Sequence, residues 1–233
     1  TALNTLNDLN SAALQERAGK FAALVKRLED IGVGKGSSTR AVVFAERIAT
    51  LTWLRDHLPA AIGLAAGNIA MLHGGLSDVE QQEIVDGFKL ETSPIRVLVT
   101  GDVASEGVNL HAQCHHLIHY DIPWSLIRIE QRNGRIDRYG QKHPPVISSL
   151  ILEPSDPDFS GDLRVLSRLM ERETQAHSTL GDVASLMGKH SVTEEEHVIR
   201  DVLAKGVTFD DAVHTADEVA AGEDLDAFFA QFD

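Results

Sequence analysis

Five short, mostly apolar runs punctuate the first 150 residues of this chain: AVVFA (41–45), NIAML (68–72), IRVLVT (95–100), HHLIHYD (115–121) and PVISSLILE (145–153). A strand with water on one face alternates apolar with polar; a continuous apolar run has both faces buried, as in a parallel sheet covered by helices. The intervening segments have helical spacing. Leu14, Ala18, Phe21, Val25 and Leu28 predict an amphipathic helix over 10–30 that leads into the sheet. Ile48, Leu51, Leu54 and Leu58 predict a second, stopped by Pro59. Ser77 and Glu80 form a capping box that opens a third through Phe88. Ser125 caps a fourth, carrying Leu126, Ile129 and Ile136. Strands alternating with helices over short links predict an α/β fold: a doubly wound parallel sheet with ligands at the carboxyl ends of its strands.

Beyond about 155 the pattern is only helical, with a capping box expected at Thr193 and Glu196. The charge changes there too. The whole chain carries 21 basic and 35 acidic residues, a balance of −14. Residues 1–150 hold 15 and 16 of these, and residues 151–233 hold 6 and 19. The expected organisation is therefore an α/β domain over 1–155 and an acidic helical extension over 156–233. The near-neutral first part leaves nucleic-acid binding open. No run approaches the roughly 20 apolar residues that span a bilayer, so no membrane association is expected. A single cysteine, Cys114, excludes an internal disulfide and fits a cytoplasmic location. The chain begins TALNTLNDLN, with no initiator Met, so a fragment or processed product is expected.

The densest cluster of functional side chains is QRNGRIDRYGQ (131–141). Arg132, Arg135 and Arg138 recur every three residues, and planar guanidinium forks match phosphate oxygens. A solvated basic helix end is the alternative, which Gly134 inside the run disfavours. The segment resembles motif VI of superfamily-two helicases and translocases, in particular the RapA/HepA-like branch of the Swi/Snf-type ATPases. VLVTGDVASEGVNL (97–110) resembles motif V and AVVFAERIATLTWL (41–54) motif IV. LHGGLSDVEQQEIVDGF (72–88) and HLIHYDIPWS (116–125) resemble the family segments between these motifs, in the family order.

The resemblance implies a RecA-like C-terminal lobe that binds ATP and Mg²⁺ only together with a first lobe lying upstream in the same protein. It implies Arg135 and Arg138 as arginine fingers, with Gln131 coupling nucleotide state to lobe closure. Gly107 and Asn109 would lie near the nucleotide with Glu106, and Asp102, Ser105 and Glu106 would link that loop to the nucleic-acid face. Arg47, His73, Gly74, Gly75, Thr100 and Gly101 would meet nucleic-acid phosphates, with double-stranded DNA the expected partner. Two positions depart from the family pattern: Gly101 stands where many relatives have Ser or Thr, and Gln81 where Arg is usual.

Other segments point away from a complete ATPase. GVGKGSST (32–39) lacks the spacing of a phosphate-binding loop and precedes a strand, so it reads as a linker. No acidic pair follows an apolar strand, so the isolated chain is expected to show no meaningful ATP turnover. His111, Cys114, His115, His116 and His119 point in divergent directions if 116–121 is a strand, and no metal site is expected. The remaining alternative is a non-catalytic module binding nucleic acid or protein, with the acidic extension as a partner surface, a DNA mimic or a solvated bundle.

Overall fold

A computed structural model describes residues 19–102, 108–151, 161–179, 186–189, 191–205, 208–215 and 217–219. The chain divides into two compact units that are not consecutive in sequence. The first is Thr1–Asp121 with Asn133–Leu152, and the second is Ile122–Arg132 with Glu153–Asp233.

The first unit is built on a five-stranded, wholly parallel sheet: β1 (Ala41–Phe44), β2 (Ile69–Leu72), β3 (Val97–Thr100), β4 (His116–His119) and β5 (Val146–Ser149) in the order β2-β3-β1-β4-β5. Val43 pairs with Val99 on one side and Ile118 on the other. Three helices flank the sheet: α1 (Lys20–Asp30), α2 (Ile48–Ala61) and α3 (Asp78–Lys89). Successive strand residues point to opposite faces. Ala41, Val43, Val97, Val99 and Ile118 therefore pack with Leu24, Val25 and Leu28 of α1 and Leu51, Leu54 and Leu58 of α2. Val42, Phe44, Leu98 and Leu117 pack with Val85 and Phe88 of α3, together with Leu110, Cys114 and Ile136. Each such side chain contributes about 1.5–3 kcal/mol by leaving water. Burial of both faces explains the uninterrupted apolar runs, and the expected doubly wound sheet is what forms.

From β1 the chain crosses toward β2, and from β4 it goes on toward β5, the opposite edge. The crevice outside the carboxyl ends of β1 and β4 is thus the topological switch point, where doubly wound sheets hold ligands. The ends of these two strands are tied there: Tyr120 N–H donates to the Phe44 carbonyl at 2.9 Å, and Lys20 pairs with Asp121 at 3.3 Å.

Several helix limits differ from expectation. Helix α1 is described from Lys20, and residues 1–18 of the expected 10–30 helix lie outside the described residues. Pro59 does not stop α2, which runs on to Ala61. A proline in the last turn forfeits only its own backbone donor, while its carbonyl still accepts from Leu64 N–H at 2.9 Å. The box at Ser77 and Glu80 forms as expected, with Ser77 N–H donating to Glu80 Oε2 at 2.9 Å. Arg40, 3% exposed, closes the other end of α3 by donating to the carbonyls of Phe88, Leu90 and Glu91.

The second unit contains α4 (Leu126–Asn133), whose last residue returns to the first unit, with α5 (Gly161–Thr179), α6 (Val192–Lys205) and α7 (Phe209–Ala212). Its core is Ile122, Leu126, Ile129, Val165, Leu169, Ala176, Leu186, Met187, Ile199, Phe209 and Val213. Arg168 and Arg172 of α5 both bind Asp210 of α7, at 2.8 and 2.9 Å. Helix α6 is capped by Ser191, whose hydroxyl accepts from Glu194 N–H at 3.3 Å. Thr193, the expected cap, is already inside the helix. Among the described residues no helix is long and apolar enough to cross a membrane.

Candidate nucleotide and nucleic-acid site

The arginine-rich segment is not one helix. Helix α4 ends at Asn133, and Gly134 to Ile136 turn instead, with Ile136 N–H bonding to the Asn133 carbonyl at 3.1 Å. Ile136 therefore belongs to the core of the first unit, whereas Leu126 and Ile129 belong to that of the second. Gly140 sits at φ +92°, a conformation that side chains rarely adopt, and lets the chain turn again before Gln141. Gln141 then donates to the carbonyls of Cys114 and Ile136, at 3.0 and 2.9 Å.

The three arginines consequently have different surroundings. Arg132 is 1% exposed and Arg135 8%, while Arg138 is exposed, as is Gln131. The structure brings Arg138 together with Asn109: one guanidinium N–H donates to the Asn109 side-chain oxygen and another to the Gly134 carbonyl. Leu110 N–H donates to the Arg135 carbonyl at 2.9 Å, so the segments resembling motifs V and VI are joined by backbone as well as side chain. Both acceptors of Arg138 are neutral. They orient the guanidinium fork, whose planar donors match phosphate oxygens. Glu106 and Gly107, expected near the nucleotide, and Ser105 lie outside the described residues.

The expected nucleic-acid contacts sit at or just past the carboxyl ends of β1, β2 and β3. Arg47 is exposed at the N-terminus of α2 and makes no side-chain cap. His73 Nδ1 accepts from Gly75 N–H at 3.1 Å, and a Cβ at Gly75 would lie 3.0 Å from that ring. A side chain at Gly75 would crowd that ring, and Gly74 beside it is exposed. Thr100 is fully buried, its hydroxyl donating to the Gly101 carbonyl at 3.1 Å, so backbone is what this strand end offers outward. Gly101 N–H donates to the Leu72 carbonyl at 3.3 Å.

Residues 19–140 match the family described as the helicase conserved C-terminal domain. The chain belongs to that family. Among its relatives, this helicase C-terminal domain is 25% identical over 203 residues to the uncharacterized ATP-dependent helicase YqhH of Bacillus subtilis, covering 87% of this chain and 32% of the relative. It is 34% identical over 105 residues to the RNA polymerase-associated protein RapA of Pseudomonas putida, covering 45% of this chain and 11% of the relative. The domain thus spans about a third or less of the length of these curated relatives. Among solved structures it resembles the C-terminal part of the Fun30 ATPase domain, with a TM-score of 0.50 at 20% identity over 69% of this chain and 54% of that one. The helicase MrfA, solved with DNA and AMPPNP, gives a TM-score of 0.52 at 18% identity over 67% of this chain and 21% of that one. At these identities the structural likeness carries the fold, which is RecA-like. The resemblance of the helicase domain to superfamily-two proteins of the RapA type is borne out.

The histidines do not assemble a metal site: among the described residues no three His, Cys, Asp or Glu are placed to hold an ion. His119 is buried in β4, its Nε2 2.9 Å from Asn133 Oδ1. His115 lies against His116 and His143, with ring centroids 4.0 and 5.0 Å away. Burial, His115 and Arg27 push the His116 ring down to about 4. Burial pushes the Cys114 thiol up to about 12. The sequence reading missed Arg40 and Glu195. A single arginine ahead of a strand, and one glutamate in a run of three, carry no pattern that announces burial.

Proposed function

We propose that this domain is the second motor lobe of an ATP-dependent DNA translocase or helicase-like protein, completed by a first lobe upstream. The observation that carries the reading is the Arg138–Asn109 pair with the Leu110–Arg135 backbone bond beside it. ATP and Mg²⁺ would be held chiefly by the first lobe, the nucleotide supplying the phosphoryl group and the metal the charge that offsets its oxygens.

Arg138 presents an oriented fork to the γ-phosphate. Arg135 adds a second guanidinium, whose near-complete burial keeps water from screening it. Such fingers contribute about 10³–10⁵ in rate. Gln131 couples the nucleotide state to lobe closure, and Asn109, with Gly107 and Glu106, lines the nucleotide side. Arg47, the His73–Gly75 loop and the main chain at Thr100 and Gly101 track the phosphates of one strand of a DNA duplex, positioning it without reading its sequence. Residues 1–155 form the motor lobe in this reading, with 122–132 lent to the helical extension, whose acidic face serves a protein partner.

The test is steady-state ATP hydrolysis, with and without duplex DNA, by the protein including its first lobe. Arg138→Ala or Arg135→Ala abolishes stimulated turnover while DNA binding survives, and the isolated 233-residue chain is inactive. Wild-type turnover in both variants removes the finger assignment. Absence of any ATPase in the longer protein favours a non-catalytic binding module.

A further inference from the structure

The helical extension contains an acid placed where acids are expensive. Glu195, in the middle of the glutamate run 194–196, is fully buried on α6. Its Oε2 accepts from the Ser125 hydroxyl at 2.6 Å and from Ile127 N–H at 3.0 Å. Ser125 Oγ in turn accepts from Arg128 N–H at 3.2 Å. Beside this pair, the Arg128 guanidinium meets Glu196 Oε1 at 3.2 Å. The first turn of α4 thus takes acceptors from two sources: its own Ser125, and a helix that begins 66 residues later.

Helix N-termini leave backbone donors unsatisfied, and a neighbouring Ser or Asp ordinarily fills them. A buried glutamate reaching in from another helix is a costlier device, because burying a charge is opposed unless it is paired. The cost shows here: desolvation raises the Glu195 carboxyl despite its two hydrogen bonds, and its second oxygen, Oε1, is buried with no partner among the described residues. A simple cap needs none of this, since Ser125 alone suffices for the helix. Glu195 instead fixes α4 relative to α6, so that the helix cannot rotate or slide without stranding a buried carboxylate. Helix α4 carries Gln131 and Arg132 on its last turn and leads within three residues to Arg135.

We propose that Glu195 is a positioning residue for the motor reaction: through Ser125 and the Ile127 amide it sets the register of α4, and hence of Gln131 on its last turn. This deepens the function proposed above and rests on it. The extension is then part of the motor, because it anchors the helix that carries Gln131.

Three variants in the protein including its first lobe test this: Glu195→Ala, Glu195→Gln and Ser125→Ala. Glutamine keeps an oxygen where Oε2 accepts, so it preserves the geometry without the charge. Expected are a fall in kcat of about tenfold to about a hundredfold for Glu195→Ala, with KM for ATP and DNA affinity nearly unchanged, a smaller fall for Ser125→Ala, and near wild-type kcat for Glu195→Gln. In the 233-residue chain, amide exchange at Ile127 and Arg128 speeds up about tenfold or more in Glu195→Ala, while β1 and β3 keep their protection. Wild-type kcat in Glu195→Ala, or a loss of activity that glutamine does not restore, overturns the inference. So does unchanged exchange at Ile127. A longer wild-type protein with no ATPase removes the proposed function and the catalytic consequence drawn here. Faster exchange at Ile127 in Glu195→Ala would then still establish the anchor itself.

Discussion

His119, the last residue of β4, and Asn133, the last residue of α4, share a buried hydrogen bond of 2.9 Å. With the asparagine oxygen as acceptor, the imidazole donates from Nε2. The bond pins the turn that carries Arg135 and Arg138 to the end of a central strand. Asn133→Ala is expected to cost about 1–3 kcal/mol, because it strands a buried donor. Urea unfolding of the 233-residue chain measures this. A double-mutant cycle with His119→Ala should show coupling of about 0.5 kcal/mol or more.

Arg40 closes the C-terminal end of α3 with three carbonyl acceptors, a position where a cation also opposes the negative end of the helix. Arg40→Ala removes the charge and takes the arginine donors from the buried Phe88 carbonyl and the partly exposed Leu90 and Glu91 carbonyls. A loss of about 3 kcal/mol is expected, read from the midpoint of chemical unfolding. Arg40→Lys recovers only part of it, since a single ammonium does not reproduce the guanidinium fork.

Gly101 has room for a side chain. A Cβ there meets the Ala45 carbonyl oxygen and Leu51 Cδ1, both at 3.7 Å, which is ordinary contact. Gly101→Ser should therefore change stability by no more than about 0.5 kcal/mol. On the function proposed above, it should tighten binding to duplex DNA by adding a hydroxyl at this strand end, as fluorescence anisotropy with a labelled duplex would show.

Cys114 is buried beside the Arg40 and His116 carbonyls, and its thiol is pushed up to about 12. The reactive thiolate is therefore scarce at neutral pH. Native protein should resist a thiol-reactive chromogen and release one equivalent only on unfolding.

His116 contributes an acid sensitivity. Its folded-state value near 4 lies below the ordinary 6.5, so between those limits the unfolded chain binds the extra proton. Stability is therefore fully present above about pH 6.5 and falls as the pH drops toward 4. His116→Gln should flatten that part of the stability profile, measured by urea midpoints across the range.

Much of the first unit was legible in the sequence because its strands are covered on both faces. Every residue from Ala41 to Phe44 had to be apolar, and the same holds for Val97 to Val99. Strand ends were overestimated by one or two residues in the first four runs and by more in the fifth, where 145–153 was expected and Val146–Ser149 pairs. The capping box at Ser77 and Glu80 was readable because both partners lie within one turn. Interactions decided over long sequence separations were not readable. Ile136 has helical spacing from Ile129, yet the two pack in different cores. Nothing local distinguishes Glu195 from Glu194 and Glu196. The arginine segment announced its chemistry by composition, while the unequal burial of Arg132, Arg135 and Arg138 follows from the end of α4 at Asn133.

The chain leaves the first unit at Ile122, comes back at Asn133, and departs again at Glu153. Cutting it near residue 155, where acidity begins, would not liberate a clean α/β domain. Ile122, Leu126 and Ile129 would remain on the severed piece with their neighbours Val165, Leu169 and Ile199 gone. An oily helix would be bared on an otherwise well-covered protein, and the product would clump before its chemistry could be assayed. Expression vectors for this helicase C-terminal domain should therefore run through α7.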